Sequence, residues 1–400
     1  MIVGCKKDKE PDPVPEDTVK RFITILNDSL KDRGFGYSFV VYRKNEMVGS
    51  GVGGLQARKI EVSEDKPVTV DSKMQIASMT KTLTAVSFLK LAQEKGIKTT
   101  DKISNYLPPA WTRGQNIELI TFRDLLTHQS GIIGLGENCQ NGAYAENHWN
   151  GLKSLIEKGV RKNNIHQGCY QNANFGLFRV LIPAILGYQF SGDDEKDNLE
   201  TRTRYEQYVR ENLLEKAGVV SKEVLNNGLP FPTFGYDHPY TIGQYGFDPG
   251  GFSETTGAYG FYLSATEAAK IYSFLFSTED ASVLNQAMKD SVLTAGLGSY
   301  STLTPNGTFS YHDGWWYSDL SNGRPKGFRG IWMKCPDDLT VVMFTNALRH
   351  GDGVFPIKSD FYFDITSYVL WAFSKYKEKD RNGRVAKVNF HSYLKHPEPH

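Results

Sequence analysis

The reading of the chain turns on residues 71–96, DSKMQIASMTKTLTAVSFLKLAQEKG. Met74, Ile76 and Ala77 form a short apolar approach. Leu83, Val86, Leu89 and Ala92 then recur at helical spacing until Gly96 supplies a stop. Ser78-Met79-Thr80-Lys81 falls in the first turn of that helix, where a serine hydroxyl sits at the positive end of the helix dipole. A side chain three residues on lies over the same face. The spacing therefore predicts a nucleophile with a proton acceptor in reach. The same Ser-x-x-Lys pattern recurs at Ser63/Lys66, Ser87/Lys90, Ser374/Lys377 and Ser392/Lys395, and a serine opening a helix is also an ordinary N-cap. What separates Ser78 from these must come from elsewhere in the chain.

Composition narrows the field. The 400 residues carry 46 Lys+Arg against 45 Asp+Glu, with no basic stripe of the kind that releases counterions from a phosphate backbone, so no nucleic-acid partner is expected. Aromatics at 12% suit strands and an aromatic-walled cleft. No run of about 18 apolar residues exists, and the most apolar segment, 177–186, is broken by Arg179 and Pro183. Met1 to Gly4 before Cys5 resembles the end of a bacterial lipoprotein signal without its leader, and the charged run 6–10 with Pro11, Pro13 and Pro15 reads as an extended spacer. We expect an exported, periplasmic or cell-surface protein that meets a membrane only through a lipid anchor at Cys5.

Upstream, Asp17 is placed to cap a helix carrying Val19, Phe22, Ile23, Leu26 and Leu30 and ended by Gly34, and residues 37–42 and 47–53 read as two strands around a polar turn. Downstream, residues 120–131 read as a short capped helix closed by a glycine-ended turn, with His128 either fastening that turn or serving as a base. Many Asn and Gly with weak periodicity make residues 132–168 a long loop over the site. Residues 175–186 are helical in pattern, 187–203 read as an acidic solvated insertion, and 205–218 as an amphipathic helix. Residues 240–260 read as irregular structure lining a cleft, and Ser264 with Glu267 forms a capping box opening a helix through Phe276.

After Gly296 the period changes: 308–315, 326–334 and 339–346 read as strands and 360–376 as an aromatic helix. Strands at both ends with helices between them predict an α/β chain of the α+β type, in which both ends share one antiparallel sheet beside a mostly helical middle. The expected division is a tail at 1–16, one domain at 17–380 and a second tail at 381–400. Within the domain, 17–77 and 296–380 form the sheet part and 78–295 the helical part.

Two further motifs, Tyr170-x-Asn172 and His312-Asp313-Gly314, follow Ser78-x-x-Lys81 in order. With Asn174-Phe175-Gly176-Leu177, the 125–131 turn, residues 257–267 and Phe344-Thr345-Asn346, the chain over about residues 17–376 resembles the serine β-lactamase and penicillin-recognising superfamily. The likeness is to the branch of class C β-lactamases, D-alanyl-D-alanine carboxypeptidases, D-aminopeptidases and related esterases, and it implies the β-lactamase/transpeptidase-like fold. It implies that Ser78 attacks a carbonyl, that Tyr170 or Lys81 accepts its proton, and that Asn172 holds Lys81 and the substrate amide. The oxyanion would lie between the backbone N–H groups of Ser78 and Trp315, with Gly314 leaving room for the substrate. Free lysine and tyrosine titrate near ~10, so either base must be shifted downward to act at neutral pH. Desolvation favours a neutral lysine, its ammonium favours tyrosinate, and the pair titrates as a unit.

Two positions depart from the family pattern. His312 stands where a carboxylate-binding lysine is common, and Trp315-Trp316 are bulky where small residues are usual, expected to narrow the cleft or wall it. Both disfavour penicillin hydrolysis. Export would let Cys139 and Cys169, which flank the 132–168 loop, pair in a disulfide rather than stand as two thiols, while Cys335 reads as buried filler. His396 and His400 are separated by Pro397 and Pro399, and no His-Glu-x-x-His occurs, so neither metal nor other cofactor is expected. The expected function is a serine hydrolase that forms an acyl-enzyme with a small-molecule or peptide substrate, a D-amino-acid peptide or small ester rather than a β-lactam. The alternatives are a non-catalytic binding protein for peptidoglycan-like fragments and a true β-lactamase.

Overall fold

β-branched and aromatic residues from opposite ends of the chain pair in a six-stranded antiparallel sheet. The computed structural model describes residues 16–143, 145–220, 224–225, 233–240, 245–277, 279–318, 325–348 and 365–378. The proposed anchor at Cys5 and the tail at 381–400 lie outside them.

Helix α1 (Glu16–Leu30) precedes the hairpin β1 (Tyr37–Arg43) and β2 (Glu46–Gly53). The short strands β3 (Leu55–Ala57), β4 (Lys66–Pro67) and β5 (Met74–Gln75) lead to a 3-10 turn, Ala77–Met79, and to α2 (Thr80–Lys95). The middle contains α3 (Phe122–Leu126), α4 (Trp149–Lys158), α5 (Asn172–Gly176), α6 (Phe178–Ile185) and α7 (Asp194–Val209). Then come β6 (Tyr262–Leu263), α8 (Ala265–Ser277), α9 (Gln286–Ala295), β7 (Tyr300–Thr304), β8 (Gly307–Tyr317), β9 (Gly327–Lys334), β10 (Leu339–Thr345) and α10 (Ile365–Lys377). The large sheet runs β2-β1-β10-β9-β8-β7.

Alternation sorts its side chains between two cores. Val40, Val342 and Trp332 are in register and face α2 and α8, whereas Val41, Val341, Ile331 and Tyr311 join Phe22, Leu26, Tyr368 and Phe373 from α1 and α10. His312 pairs with Trp332 and therefore lies on the α2 side. Trp332 fastens the layers: its ring stacks on Tyr272 and Phe276 of α8 at 5.0 and 5.1 Å, and its Nε1–H donates to Thr82 Oγ1 of α2 at 3.0 Å.

Three expectations need correction. Residues 132–168 are not one loop, since α4 buries Trp149, Leu152, Leu155 and Ile156, a helical set that the flanking Asn and Gly residues obscured. Residues 187–203 are solvated over most of their length, but the helix expected from 205 already starts within them, α7 beginning at 194. The Asp193 carboxylate accepts the N–H groups of Glu195 and Lys196, and acids in the first turn suit the helix dipole. Helix α1 ends at Leu30 rather than running to Gly34. By contrast, Thr121 with Asp124 and Ser264 with Glu267 do close capping boxes.

Truncating Trp332 to Ala removes both stackings and the hydrogen bond. It is expected to lower the unfolding free energy by about 3–5 kcal/mol in urea melts; a loss below about 1 kcal/mol would contradict its fastening role.

Candidate active site

The turn that carries Ser78 is built by a backbone reversal. Ala77 has φ +47°, a left-handed conformation rare for a residue with a side chain, and its N–H donates to Gln75 Oε1. Ser78 consequently sits in the 3-10 turn just before α2 rather than in the first α-helical turn, half-buried with its side chain at the helix mouth. Lys81, one turn on, is wholly buried.

The turn seats in a notch of the sheet. Gly314 of β8 and Gly330 of β9 are directly paired. A Cβ at Gly314 would lie 2.5 Å from the Ile76 carbonyl oxygen and 3.0 Å from the Ser78 nitrogen, and one at Gly330 would lie 2.9 Å from Met79 Sδ. Glycine at 314 is thus required by the Ser78 turn itself.

Four expected residues converge. Lys81 Nζ lies 2.9 Å from Ser78 Oγ, 2.7 Å from Asn172 Oδ1 and 3.0 Å from the Ala258 carbonyl oxygen. The Tyr170 hydroxyl donates to Ser78 Oγ at 2.8 Å. Asn172 Oδ1 and the Ala258 carbonyl can only accept, so they take two N–H bonds, and the third direction of Nζ faces the serine. In the neutral amine that direction holds the lone pair. Desolvation pushes the Lys81 pKa well below the ordinary lysine value, against an opposing pull from the Asp313 carboxylate. Burial moves Tyr170 the other way, raising its pKa despite its bond to Ser78, so tyrosinate is not favoured. Asn172 Nδ2 donates one of its two hydrogens to the Gly142 carbonyl at 3.0 Å.

No other described Ser-x-x-Lys pair shares this geometry: Lys66 pairs with Glu64, Lys90 with Glu94 and Lys377 with Asp337. Ser392/Lys395 lies outside the described residues.

The third motif behaves differently from expectation at one position. His312 is buried, its ring 4.9 Å from Tyr300, and its Nδ1 donates to the Asp313 carbonyl at 2.6 Å. Asp313 Oδ2 pairs with Arg329 of β9 at 3.0 Å. Trp315 does not narrow the cleft: alternation turns its ring to the opposite side of the sheet from Gly314, where it stacks on Tyr317 at 4.3 Å. Trp316 faces the α2 side, against Tyr259 and Phe252 at 4.8 and 5.0 Å.

Sequence reading missed the carbonyls of Ala258 and Gly142, because a backbone acceptor has no residue signature. It also left the role of His128 open. Its ring lies 4.3 Å from that of Tyr170, and its Nδ1 accepts the Gln171 N–H at 3.2 Å. Its carbonyl accepts the Cys169 N–H at 2.9 Å. Burial first, then Lys81 and His312, holds its pKa well below the usual histidine value. It fastens the turn beneath Tyr170.

Cys139 and Cys169 are joined in a disulfide, a closure worth about 3–4 kcal/mol on the chain-entropy estimate. Gly142 N–H donates to the Tyr170 carbonyl at 2.9 Å and Gln171 Nε2 to the Gln140 carbonyl at 2.6 Å. The segment over the site is thereby laced to the tyrosine motif. Cys335 is buried. Among the described residues there is no cluster of His, Cys, Asp and Glu able to hold a metal ion.

Comparison with known proteins places the chain in a family. The family model described as Beta-lactamase matches residues 22–356. A putative penicillin-binding protein PbpX of Bacillus subtilis (strain 168) is 26% identical over 280 residues, covering 68% of this chain and 62% of that protein. Beta-lactamase-like protein 2 of Dictyostelium discoideum is 27% identical over 327 residues, covering 76% and 56%. The chain thus spans less than two thirds of the length of these curated relatives. Among solved structures, the D-amino acid amidase of Ochrobactrum anthropi SV3 superposes with a TM-score of 0.64 at 18% identity, covering 90% of this chain and 99% of that one. The octameric penicillin-binding protein homologue of Pyrococcus abyssi gives a TM-score of 0.64 at 16% identity, covering 90% and 78%. At these identities the superpositions establish the β-lactamase/transpeptidase-like fold, and the family match extends over most of the chain, so the protein belongs to the Beta-lactamase family.

Proposed function

We propose that the protein is a serine hydrolase that cleaves an amide or ester through an acyl-enzyme on Ser78. The observation that carries this reading is the desolvated Lys81 amine, directed at Ser78 Oγ by two acceptor-only partners. Neutral Lys81 takes the serine proton as Oγ forms its bond to the substrate carbonyl carbon. The carbonyl oxygen becomes an oxyanion between the N–H groups of Ser78 and Trp315, one such donor typically being worth about 3 kcal/mol. Tyr170, protonated and already bonded to Ser78 Oγ, gives its proton to the departing amine or alcohol as the acyl carbon releases it, and recovers one from the Lys81 ammonium. Water then adds to the acyl carbon while Lys81 takes its proton, and as the bond to Ser78 Oγ breaks to release a carboxylic acid the Lys81 ammonium returns that proton to Oγ, restoring the serine hydroxyl and the neutral amine.

A D-amino-acid peptide or small ester is the favoured substrate class over a β-lactam. His312 spends its Nδ1–H on a backbone carbonyl, and Asp313 places a carboxylate in the motif. The third motif therefore brings no lysine cation toward a substrate carboxylate. Likeness to the D-amino acid amidase supports the same choice at the level of fold.

Intact-mass measurement after a fluorophosphonate is expected to show one adduct in the wild type and none in Ser78→Ala. No adduct in folded wild-type protein would favour a non-catalytic binding protein, and an adduct persisting in Ser78→Ala would remove the nucleophile assignment. Because the Lys81 pKa is lowered, ester hydrolysis should fall only as pH drops through that lowered value, well below the ordinary lysine range; because that of Tyr170 is raised, a basic limb should appear only above ~10. A rate that climbs steadily to pH 10 would contradict a neutral Lys81. Gly314→Ala should cut kcat roughly 10²–10³-fold in the same assay by pushing the serine turn off the strand.

A further inference from the structure

One of the two fixed acceptors of Lys81 is a backbone carbonyl held by side chains away from Ser78. Next to Ala258, Gly257 offers its carbonyl to Thr84 Oγ1 at 2.5 Å. Thr84 lies three residues beyond Lys81 on α2 and, like Ala258, is wholly buried. A carbonyl only accepts, so the threonine proton goes to Gly257, and the 2.6 Å contact between Thr84 Oγ1 and the Tyr205 hydroxyl needs the phenol as donor. Burial keeps Tyr205 protonated by raising its pKa. The Thr80 carbonyl, at 3.2 Å, is the more distant alternative for the threonine proton.

The result is a directional chain from Tyr205 of α7 through Thr84 of α2 to the Gly257 carbonyl. The 257–258 backbone is also wedged from the other side. Gly257 has φ +109°, and a Cβ there would stand 2.8 Å from the carbonyl oxygen of Phe175 on α5, the helix that brings Asn172.

We propose that Thr84 and Tyr205 are positioning residues for Lys81, holding the 257–258 backbone so that the Ala258 carbonyl fixes the direction in which the amine meets Ser78. This rests on the reading of Lys81 as the base. With Asn172 and Ala258 both in place, rotation about the Cε–Nζ bond is stopped and the lone pair stays on the serine. With Ala258 released, the amine turns, and catalysis falls without loss of substrate binding. The Ala258 carbonyl also favours the ammonium form, so its withdrawal lets desolvation lower the Lys81 pKa further. The other groups that share the field of the amine are Asp313 and His312 on β8, Tyr170 after Cys169 and His128 after α3. These substitutions leave all four unchanged.

Hydrolysis of a p-nitrophenyl ester by Thr84→Val, Tyr205→Phe and Thr84→Ser tests this, with kcat, KM and the pH profile read for each. Thr84→Val is expected to lower kcat about tenfold at unchanged KM and to move the acid limb to lower pH. Tyr205→Phe should do the same to a smaller degree, and Thr84→Ser should restore the wild-type profile. Wild-type kcat and acid limb in both Thr84→Val and Tyr205→Phe would overturn the proposal. So would an acid limb displaced upward, the sign of general loosening that admits water. Should Thr84→Val not fold, Tyr205→Phe against Thr84→Ser decides by the same criteria. Lys81→Met separates the two levels: full activity there removes the base reading and the clamp with it, whereas loss there with wild-type behaviour in Thr84→Val and Tyr205→Phe removes the clamp alone.

Discussion

Removing a lysine side chain from water costs the ammonium far more than the amine, and the whole site follows from where Lys81 is buried. Among the described residues no carboxylate touches Nζ: Asp313 acts on it through its field, and Arg329 draws on that carboxylate at 3.0 Å. The partners of Nζ are instead an amide oxygen, a peptide oxygen and a hydroxyl. Neutral acceptors satisfy the N–H groups without restoring the charge. Burial among such partners therefore moves the Lys81 pKa downward.

The fold supplies those partners from distant parts of the sequence. The 3-10 turn at 77–79 brings Ser78, α2 brings Lys81, α5 brings Asn172, and the 257–258 segment brings a carbonyl, while β8 and β9 form the glycine notch that receives the serine turn. Because the sheet is shared by both chain ends, the strand that carries the third motif is joined to β1 through β9 and β10. Trp332 joins that sheet to α2 through Thr82 and to α8 through two stacked rings. The Cys139–Cys169 disulfide does the corresponding work at the tyrosine motif.

Much of this was legible in the chain, and the exceptions have physical reasons. Strand alternation at both ends and the capping boxes at Thr121 and Ser264 are local signals, and the sheet and short helices were read from them. Ser78 and Lys81 were indistinguishable from Ser87 and Lys90 by spacing, since both pairs lie on or beside α2; only the tertiary partners Tyr170 and Asn172 tell them apart. The acidic start of α7 disguised a helix whose buried face is Thr201, Tyr205, Tyr208 and Val209. Trp315 was assigned to the cleft because sequence order puts it beside Gly314, whereas the pleat sends its ring to the other side. The Ala258 and Gly142 carbonyls carried no sequence signal at all.

The charge state of Lys81 is the central claim, and its side-chain resonance measures it most directly. In protein labelled with 13C at the lysine side chains, the Lys81 Cε signal, identified by its absence from Lys81→Met, can be followed against pH. A buried amine aimed at Ser78 requires a midpoint well below the ~10.4 of a free lysine. A midpoint at the free-lysine value would mean that Lys81 is an ammonium at working pH, and the base would have to be sought elsewhere.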